Sequence, residues 1–246
     1  MKLIKLDAID STNDFLKVLS SQDKLENFTV VTAENQTKGK GQMGSKWQSE
    51  SGKNLIMSAL VKDFVFDHEQ VFNLSLIVSL SVVDVLKSLN IPELSIKWPN
   101  DIMSYNKKIG GILIENTIKS DGRIVSVVGL GLNVNQTNFT ELPNASSLAV
   151  ILGNSINKDI LPELIIEKIK EKINSWENNA ADFWDKYFNT LFRKGVPMPF
   201  KNLHPNSSGQ NFMGIIQGVS SIGKLQVLLE DDSVAEFEIK EIQMLY

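Results

Sequence analysis

Two long apolar stretches that follow each other with only a short turn between them do most to limit the possible folds. The first is IGGILIENTI, from Ile109 to Ile118, and the second is RIVSVVGLGLNV, from Arg123 to Val134. The Ser120-Asp121-Gly122 segment between them is typical of a turn. Two such stretches pair as a hairpin. The chain is therefore not a regular alternation of strands and helices around a parallel sheet.

The other predicted elements support an α+β fold, in which a mixed sheet carries its helices mainly on one face. Apolar periodicity predicts a helix after the first strand, a buried helix from about Glu69 to Leu89, a helix that starts near Pro162 and a third helical segment, Ala181 to Phe192. Alternation and β-branched content predict the further strands Leu3–Ile9, Phe28–Asn35, Asn54–Val61 and LSIKWP, which ends at Pro99.

The pattern changes near Gly195. Beyond it come short alternating runs, among them FMGIIQGV and LQVLLED, which are separated by Gly, Ser and Asn. These runs predict a small antiparallel β module. We therefore expect a larger domain over residues 1–194 and a C-terminal β domain over residues 195–246.

Composition excludes several classes of protein. The net charge is −4 and the pI is about 5.3, which does not suit non-specific nucleic-acid binding. The chain has no cysteine, so disulfides and thiolate sites are excluded, and its two histidines, His68 and His204, are far apart in sequence. The N-terminus lacks the apolar core of a signal peptide, and the apolar segment from Val71 to Leu86 is short for a membrane span. We expect a soluble, cytoplasmic protein with no nucleic-acid or membrane partner.

The segment TKGKGQMGSKWQ, from Thr37 to Gln48, has the composition of an anion-binding loop. Gly39 and Gly41 allow the backbone to approach a ligand, and successive N–H groups can surround an anion. No Gly-Lys-Ser/Thr sequence closes the loop onto a helix, so it is not a P-loop. The alternative is a flexible hairpin loop with solvated lysines, and the loop alone does not separate the two interpretations.

Two further segments carry polar residues at strand ends. In SIKWPNDIMSYNKKIGG, Asn100 and Asp101 follow a strand, and a turn then leads to Lys107 and Lys108, so that a carboxylate and a lysine would face each other across a hairpin. The alternative is a simple turn with solvated lysines. The strand VVGLGLNVNQ carries Gly129 and Gly131, which indicate either close approach of a ligand or a bulge.

Taken together, these segments resemble the biotin protein ligases. The matching blocks are Ser11-Thr12-Asn13, the segment from Ala33 to Trp47, KWPND from Lys97 to Asp101, the segment from Lys108 to Glu115, and Gly129-x-Gly131-x-Asn133. The resemblance implies a class II synthetase-like, biotin–lipoate ligase fold with a C-terminal SH3-like β-barrel. It also implies that biotin and ATP form biotinyl-5′-AMP, from which biotin passes to a lysine of a biotin carboxyl carrier protein domain.

The resemblance also implies roles for individual residues. Lys108 and Asp101 are the expected catalytic residues, and Asp101 is a possible ligand of Mg²⁺. The expected biotin-binding residues are Ser11, Thr12, Asn13, Gln36, Gly39, Lys40, Gly41, Lys108, Gly110 and Gly111. The expected ATP- and adenylate-binding residues are Lys40, Gln42, Lys46, Trp47, Asn100, Asp101 and Asn133. Family members often pair through sheet edges, so a homodimer is possible.

The chain departs from the family at two places. Well-known members carry arginines in the glycine loop, whereas this loop has Lys40, Gln42 and Ser45 at those positions. Lysine lacks the bidentate fork of arginine, so we expect weaker retention of the adenylate unless Lys40, Lys46 or a cation elsewhere, such as Arg193, offsets the change. The first strand begins at Leu3, and no N-terminal helix-turn-helix is expected.

Three other functions are compatible with parts of the pattern. A lipoate-type ligase of the same superfamily would share the fold and the adenylation step, but KWPND and Gln36 favour biotin. A non-catalytic biotin or adenylate sensor would not need Lys108 and Asp101. A generic nucleotide-binding protein would explain the glycine loop but not the other blocks.

Overall fold

The computed structural model describes residues 2–22, 25–65, 67, 70–204 and 209–246. Its larger sheet has seven strands in the order β1-β2-β3-β7-β6-β5-β4. Their bounds are Leu3–Ile9 (β1), Val30–Gln36 (β2), Leu55–Lys62 (β3), Leu94–Lys97 (β4), Asp101–Ser104 (β5), Lys107–Ile118 (β6) and Ile124–Leu132 (β7). β1 and β2 run parallel, and the other neighbours are antiparallel. The prediction of a mixed sheet is confirmed.

The parallel pair determines where the polar segment Ser11-Thr12-Asn13 lies. Parallel strands need a crossover, and here helix α1, Thr12–Gln22, connects the end of β1 to β2. The register aligns Ile9 with Gln36, so both strands end at the same edge of the sheet. The N-terminus of α1 therefore lies beside the last residue of β2, although the two are separated by most of the crossover in sequence.

Helices cover the two faces unequally. Helices α2 (Val71–Ser88), α4 (Leu161–Asn174) and α5 (Trp176–Thr190) pack with one another on one face, where Met57 and Ala59 of β3 meet them. Helix α1 packs on the other face, against a small cluster that includes Leu60. The short helix α3, Leu148–Leu152, was not predicted. The prediction that the helices lie mainly on one face is confirmed.

Helix α2 is the apolar segment that was predicted to be buried. By length and composition it could cross a membrane, but most of it is buried against the sheet and against α4. The helix begins at Val71 and ends at Ser88. The predicted start at Glu69 lies outside the described residues, as does His68.

The C-terminal residues form a second, five-stranded antiparallel sheet in the order β11-β10-β9-β8-β12. Its strands are Pro197–Asn202 (β8), Asn211–Val219 (β9), Leu225–Leu228 (β10), Val234–Phe237 (β11) and Ile242–Met244 (β12). Phe200, Val227 and Ile242 belong to the same apolar cluster as α2 and α5, so the two sheets share a continuous core. The SH3-like barrel and the domain boundary after residue 194 remain predictions.

One segment differs from its predicted structure. Asn100 and Asp101 were predicted to follow a strand, with a simple turn as the alternative, and Ser104 was predicted to lie in the turn before Lys107, whereas Asp101–Ser104 is strand β5. β5 pairs with β4 on one side and β6 on the other, and its side chains Ile102 and Met103 are fully buried. Strand pairing and burial outweigh the local preference at Asp101.

Candidate functional site

A cavity of about 540 Å³ opens where the crossover, the glycine loop, β6, β7 and the C-terminal sheet meet. It brings together most of the residues predicted to bind ligands. These are Ser11, Thr12, Asn13, Gln36, Lys40, Gly41, Gln42, Lys46, Trp47, Asn100, Asp101, Lys108 and Gly111. Of the remaining predicted residues, Gly39 lines the outer side of the loop, Asn133 lines an adjoining cavity, and Gly110 packs on the Gly131 carbonyl.

At one end of the cavity, a hydrogen bond fixes the orientation of the Gln36 amide. The backbone N–H of Thr12 donates to Oε1 of Gln36 at 2.8 Å. The Thr12 hydroxyl also lies 3.0 Å from the same oxygen. Because Oε1 is engaged in this way, Nε2 of Gln36 is the group left to donate to a ligand. This end of the cavity is therefore suited to a ligand with a carbonyl-type acceptor.

Ser58 is a functional residue that the sequence analysis missed. Its side chain is fully buried in the middle of β3, and its hydroxyl donates to Oδ1 of Asn13 at 2.6 Å. The Ser58 hydroxyl also lies 2.7 Å from the Thr12 hydroxyl, so it connects Thr12 with Asn13. The signal was available, since a lone polar residue interrupts the apolar run LIMSALV.

Behind Asn13, the same network reaches the protein surface. Asn13 Nδ2 donates to Glu115 at 2.7 Å, and the second carboxylate oxygen of Glu115 pairs with Lys17. Gly129 leaves room for this arrangement, because a Cβ on it would lie 2.4 Å from the Asn13 oxygen. Asn13 therefore acts as a support behind the cavity wall, and its amide is engaged by protein groups.

At the other end of the cavity, Asp101 lies between two lysines. Its Oδ1 is 2.5 Å from Lys108 Nζ, and its Oδ2 is 3.7 Å from Lys97 Nζ. The predicted contact across the β5–β6 hairpin is confirmed, but the sequence analysis gave Lys97 no role. Two ammonium groups around one carboxylate leave a net positive charge in a partly buried setting. Such a setting stabilises negative charge on a ligand more strongly than bulk water allows.

Asn100 supports this charged end through the backbone. Its Nδ2 donates to the Ile112 carbonyl at 2.6 Å, and its own carbonyl accepts from the Ile112 N–H at 3.0 Å. These two bonds tie the start of β5 to β6. The prediction that Asn100 contacts the nucleotide is not tested, and the structure gives its side-chain amide a positioning contact.

Trp47 lies between the glycine loop and strand β7. Its indole lies on the backbone of β7, so that a Cβ on Gly131 would be 2.3 Å from Cε2 of the ring. Lys108 Nζ is 5.8 Å from the ring centroid, within the range of a cation–π contact. The indole Nε1 is buried and has no hydrogen-bond partner among the described residues. A ligand acceptor could reach this N–H only if the indole or its surroundings shifted on binding.

The glycine loop folds back on itself over the cavity. Gly41 N–H donates to the Ser45 carbonyl at 2.7 Å, and Trp47 N–H donates to the Gly39 carbonyl at 3.0 Å. A 3₁₀ turn at Gln42–Gly44 forms its tip, where Met43 has a φ of 53°. No P-loop-like helix follows, and β3 is the next element, as predicted.

Two of the three loop lysines are bound to acidic side chains of the crossover. Lys38 Nζ lies 2.8 Å from Asp10, and Lys40 Nζ lies 2.6 Å from Asp14. The hydrogen bonds from Lys38 and Thr37 lower the pKa of Asp10, and the hydrogen bond to Asp14 raises the pKa of Lys40. These lysines anchor the loop. The predicted ligand contacts of Lys40 are not tested, and its ammonium group is already paired.

The suggested compensating cation, Arg193, does not lie at either cavity. Its guanidinium group packs over the Phe192 ring at 5.5 Å and lies 3.4 Å from Asn106. The lysines that do line the main cavity are Lys40, Lys46, Lys97, Lys108 and Lys240. Lys240 comes from the C-terminal sheet region, and no sequence pattern near the ligand motifs indicated it.

A second cavity, of about 380 Å³, adjoins the first on the far side of Trp47. Lys97, Asp101 and Lys108 line both cavities and so mark their junction. Asn133 lines the second cavity while its Nδ2 donates to the Ser146 carbonyl at 3.0 Å. The arrangement can hold two ligands whose reacting groups meet at Lys108 and Asp101.

The acidic and histidine side chains show which kind of metal site is possible here. Among the described ranges, no group of three or more His, Asp or Glu side chains could hold a metal by itself. Mg²⁺ is commonly bound by one or two carboxylates together with substrate phosphates. Asp101 fits that mode, because it is the carboxylate at the junction of the cavities.

Comparisons with known proteins agree with this geometry. The Escherichia coli bifunctional ligase/repressor BirA is 28% identical over 235 residues, which cover 93% of this chain and 69% of that protein. The Mycobacterium tuberculosis biotin–[acetyl-CoA-carboxylase] ligase is 28% identical over 222 residues, covering 87% of this chain and 79% of that protein. The structure of Aquifex aeolicus biotin protein ligase in complex with biotin and ATP superposes with a TM-score of 0.78 at 26% identity, covering 99% of this chain and 98% of that one.

A family profile gives the same assignment from the sequence. The profile of the biotin/lipoate A/B protein ligase family matches residues 6–135, which include the crossover, the glycine loop, β4 to β7 and Asn133. The match spans more than half of the chain and contains every residue that we predicted to bind ligands. The chain belongs to the biotin/lipoate A/B protein ligase family.

Proposed function

We propose that the protein is an ATP-dependent biotin protein ligase, which forms biotinyl-5′-AMP and transfers biotin to a lysine of a biotin carboxyl carrier protein domain. The observation that carries this proposal is the meeting of two cavities at Lys108 and Asp101. One cavity ends in the oriented Gln36 amide, and the other is open to a nucleotide. The names of the relatives and the biotin- and ATP-bound Aquifex structure support the same assignment.

The first half-reaction needs two anions to approach each other. The biotin carboxylate oxygen attacks the α-phosphorus of ATP, the bond to the β-phosphate oxygen breaks, and pyrophosphate leaves. Lys108 lies where negative charge increases at the α-phosphate, and its ammonium group stabilises that charge. Lys97 adds a second positive charge at the same junction. Mg²⁺, held by Asp101 and the phosphates, would neutralise further phosphate charge.

Recognition of biotin rests on the opposite end of the first cavity. The Gln36 Nε2 and the Ser11 hydroxyl are positioned to hydrogen-bond the ureido ring, while Thr12 holds the Gln36 amide in place. The indole N–H of Trp47, which has no partner among the described residues, becomes a further donor if the ring shifts when the ligand binds. Binding at both ends aligns the carboxylate with the α-phosphate, which converts an encounter of two anions into a reaction within one complex.

In the second half-reaction, the neutral ε-amino group of the carrier lysine attacks the acyl carbonyl of biotinyl-5′-AMP. The bond from the carbonyl carbon to the phosphate oxygen breaks, AMP leaves, and the amine loses one proton to water. Asp101 is the carboxylate at the reacting centre, and it orients the incoming amine. The glycine loop covers the mixed anhydride until the carrier arrives and limits its hydrolysis by water. A homodimer, a cytoplasmic location and the division into domains at residue 194 remain predictions.

The proposal is tested by substrate dependence. The purified protein is given ATP and radiolabelled pyrophosphate with biotin, with lipoate or with neither, and exchange into ATP is measured. A candidate carrier domain is then added, and its mass is measured before and after incubation. We expect exchange with biotin and a gain of one biotinyl group. Exchange with lipoate alone would assign the protein to the lipoate branch, and no exchange with either acid would indicate a binding protein.

A further inference from the structure

The C-terminal sheet region contributes to the wall of the main cavity. Ile239, Lys240 and Gln243 line it together with residues of the seven-stranded sheet. Ile239 and Lys240 lie in the connection between β11 and β12, and Gln243 lies in β12. The connection is held in this position because Trp98 Nε1 donates to the Gly223 carbonyl at 2.9 Å and the cores of the two sheets are continuous.

Lys240 makes a direct contact with the tip of the glycine loop. Its ammonium group donates a hydrogen bond to the backbone carbonyl of Met43. Met43 lies in the 3₁₀ turn at the tip of the loop and is 58% exposed. Side-chain packing at Met43 therefore contributes little to the position of the tip. Lys38 and Lys40 anchor the base of the loop to Asp10 and Asp14, which leaves the tip to a different contact.

From this contact we infer that Lys240 is a positioning residue that holds the glycine loop closed over the bound acyl-adenylate. The inference rests on the proposed function, because it assigns the cavity beneath the loop to that intermediate. In the structure the Met43 carbonyl meets the Lys240 ammonium while both residues line the cavity. A bond made in one of two loop states shifts the population toward that state.

Charge makes lysine suitable for this position. An ammonium group has three donors, so the bond to Met43 leaves two donors at a cavity-lining residue. The loop has no arginine of its own, and two of its lysines are paired with carboxylates. Lys240 therefore gives the closed loop a cation from outside the loop.

The test compares Lys240→Met, Lys240→Arg and the matched control Lys224→Met. Lys224 lies in the same part of the chain and pairs with Glu238 at 3.1 Å, so its replacement removes one cation without reaching the loop. Hydrogen exchange of the Gly41 to Ser45 amides is measured in the ligand-free protein. Release of preformed biotinyl-5′-AMP is measured by rapid filtration, with KM for biotin and kcat in parallel.

We expect Lys240→Met to speed loop exchange and adenylate release about threefold to tenfold, the range for a charge-assisted bond at an exposed site. KM for biotin should rise because an open loop retains biotin less well, and the loss of kcat should be smaller than the rise in KM. Lys240→Arg should resemble the wild type, because arginine also donates to a carbonyl. Lys224→Met should leave all four quantities unchanged.

The inference would be overturned if Lys240→Met left loop exchange and adenylate release at wild-type values. It would also be overturned if Lys224→Met produced the same change, because the effect would then follow from the loss of any positive charge and not from the contact with Met43. The ligand-free exchange measurement separates this inference from the proposed function. Faster loop exchange in Lys240→Met supports the contact even if the wild-type protein forms no adenylate with biotin, an outcome that would refute only the ligase assignment.

Discussion

Gly131 and Trp47 are in direct contact, and the indole lies where a side chain of residue 131 would be. A Cβ at this position would come within 2.3 Å of ring atom Cε2. The second glycine of the G-x-G strand is therefore needed to seat the tryptophan that divides the two cavities. The nearby Gly111 contributes to the same surface, with its added Cβ at 3.4 Å from the ring and from Lys108.

Replacing Gly131 by Ala should displace the Trp47 ring and lower kcat/KM for biotin activation by about 10- to 100-fold, because small displacements of reacting groups have large effects on rate. The measurement is pyrophosphate exchange in Gly131→Ala, Trp47→Ala and the double variant. If the contact is the cause, Gly131→Ala has little further effect in the Trp47→Ala background. Fully additive losses would contradict it.

Trp47→Phe should have opposite effects on the free protein and on the complex. Nε1 is buried without a partner among the described residues, so its removal should raise the free energy of unfolding of the ligand-free protein by about 1 kcal/mol. If Nε1 donates to the ligand, the same change should weaken ligand binding. Denaturant unfolding with and without biotin and ATP measures both quantities. If biotin and ATP stabilise Trp47→Phe as much as they stabilise the wild type, the N–H does not donate to the ligand.

Lys108→Ala should lower the rate of ATP–pyrophosphate exchange by about 100- to 1,000-fold, the loss typical of one charge-stabilising donor. The adjacent Lys107→Ala is a matched control. Lys107 is exposed, and its Nζ donates to the Pro143 carbonyl outside the main cavity. The control should retain nearly full activity. Equal losses in the two variants, or an unchanged rate in Lys108→Ala, would remove Lys108 from the mechanism.

Ser58→Ala should destabilise the protein and weaken biotin binding together. Its hydroxyl bridges Thr12 and Asn13 in a fully buried position, so its loss leaves polar partners unsatisfied, at about 1–3 kcal/mol of unfolding free energy. KM for biotin should rise because Thr12 holds Gln36. Ser81→Ala is the control, since Ser81 is equally buried but donates to the Ile77 carbonyl within α2. Ser81→Ala should leave KM for biotin at the wild-type value. A rise in KM equal to that of Ser58→Ala would contradict the role of the network.

The anchor of the glycine loop at Asp10 predicts a response to acid. Hydrogen bonds from Lys38 and Thr37 lower the pKa of this carboxyl from its ordinary value of 3.8. A lowered native pKa means that the contact stabilises the folded state above the ordinary value and is lost as the pH falls through the native value. Titration of the Asp10 carboxyl by NMR should give a midpoint below 3.8, and Lys38→Met should move it upward. An unchanged midpoint would mean that Lys38 does not form this contact in solution.

Local patterns were sufficient to predict much of the site. The Asp101–Lys108 contact followed from a hairpin, in which residues close in sequence are close in space. The predicted strand from Leu3 to Ile9 matches β1 at both ends, since its alternation reflects a half-buried strand. Contacts between distant segments were not predictable in this way. Lys240 reaches Met43 through the docking of a second sheet, and Trp47 reaches Gly131 through closure of the loop.

Strand β5 and the loop lysines show a second reason for incomplete prediction. At Asp101 the local preference for a turn is overridden by pairing on both sides, which depends on strands that the local sequence does not contain. Lys40 carries the charge expected of a phosphate-binding residue, but Asp14 is near enough to neutralise it. The residue type predicted the positive charge of Lys40 correctly, but its pairing with Asp14 depends on the tertiary structure.

The parallel crossover has an evolutionary consequence, because it divides the site into two structural units. Ser11, Thr12 and Gln36, to which we assign recognition of the ring of the acid, belong to the β1-α1-β2 unit. Asp101 and Lys108, to which we assign the handling of phosphate charge, belong to the β5–β6 hairpin. In the sheet order β1-β2-β3-β7-β6-β5-β4, two strands separate these units. If these assignments hold, we expect substitutions in the crossover to change which acid is activated while the β5–β6 hairpin stays intact, so that one scaffold serves different acids with the same chemistry.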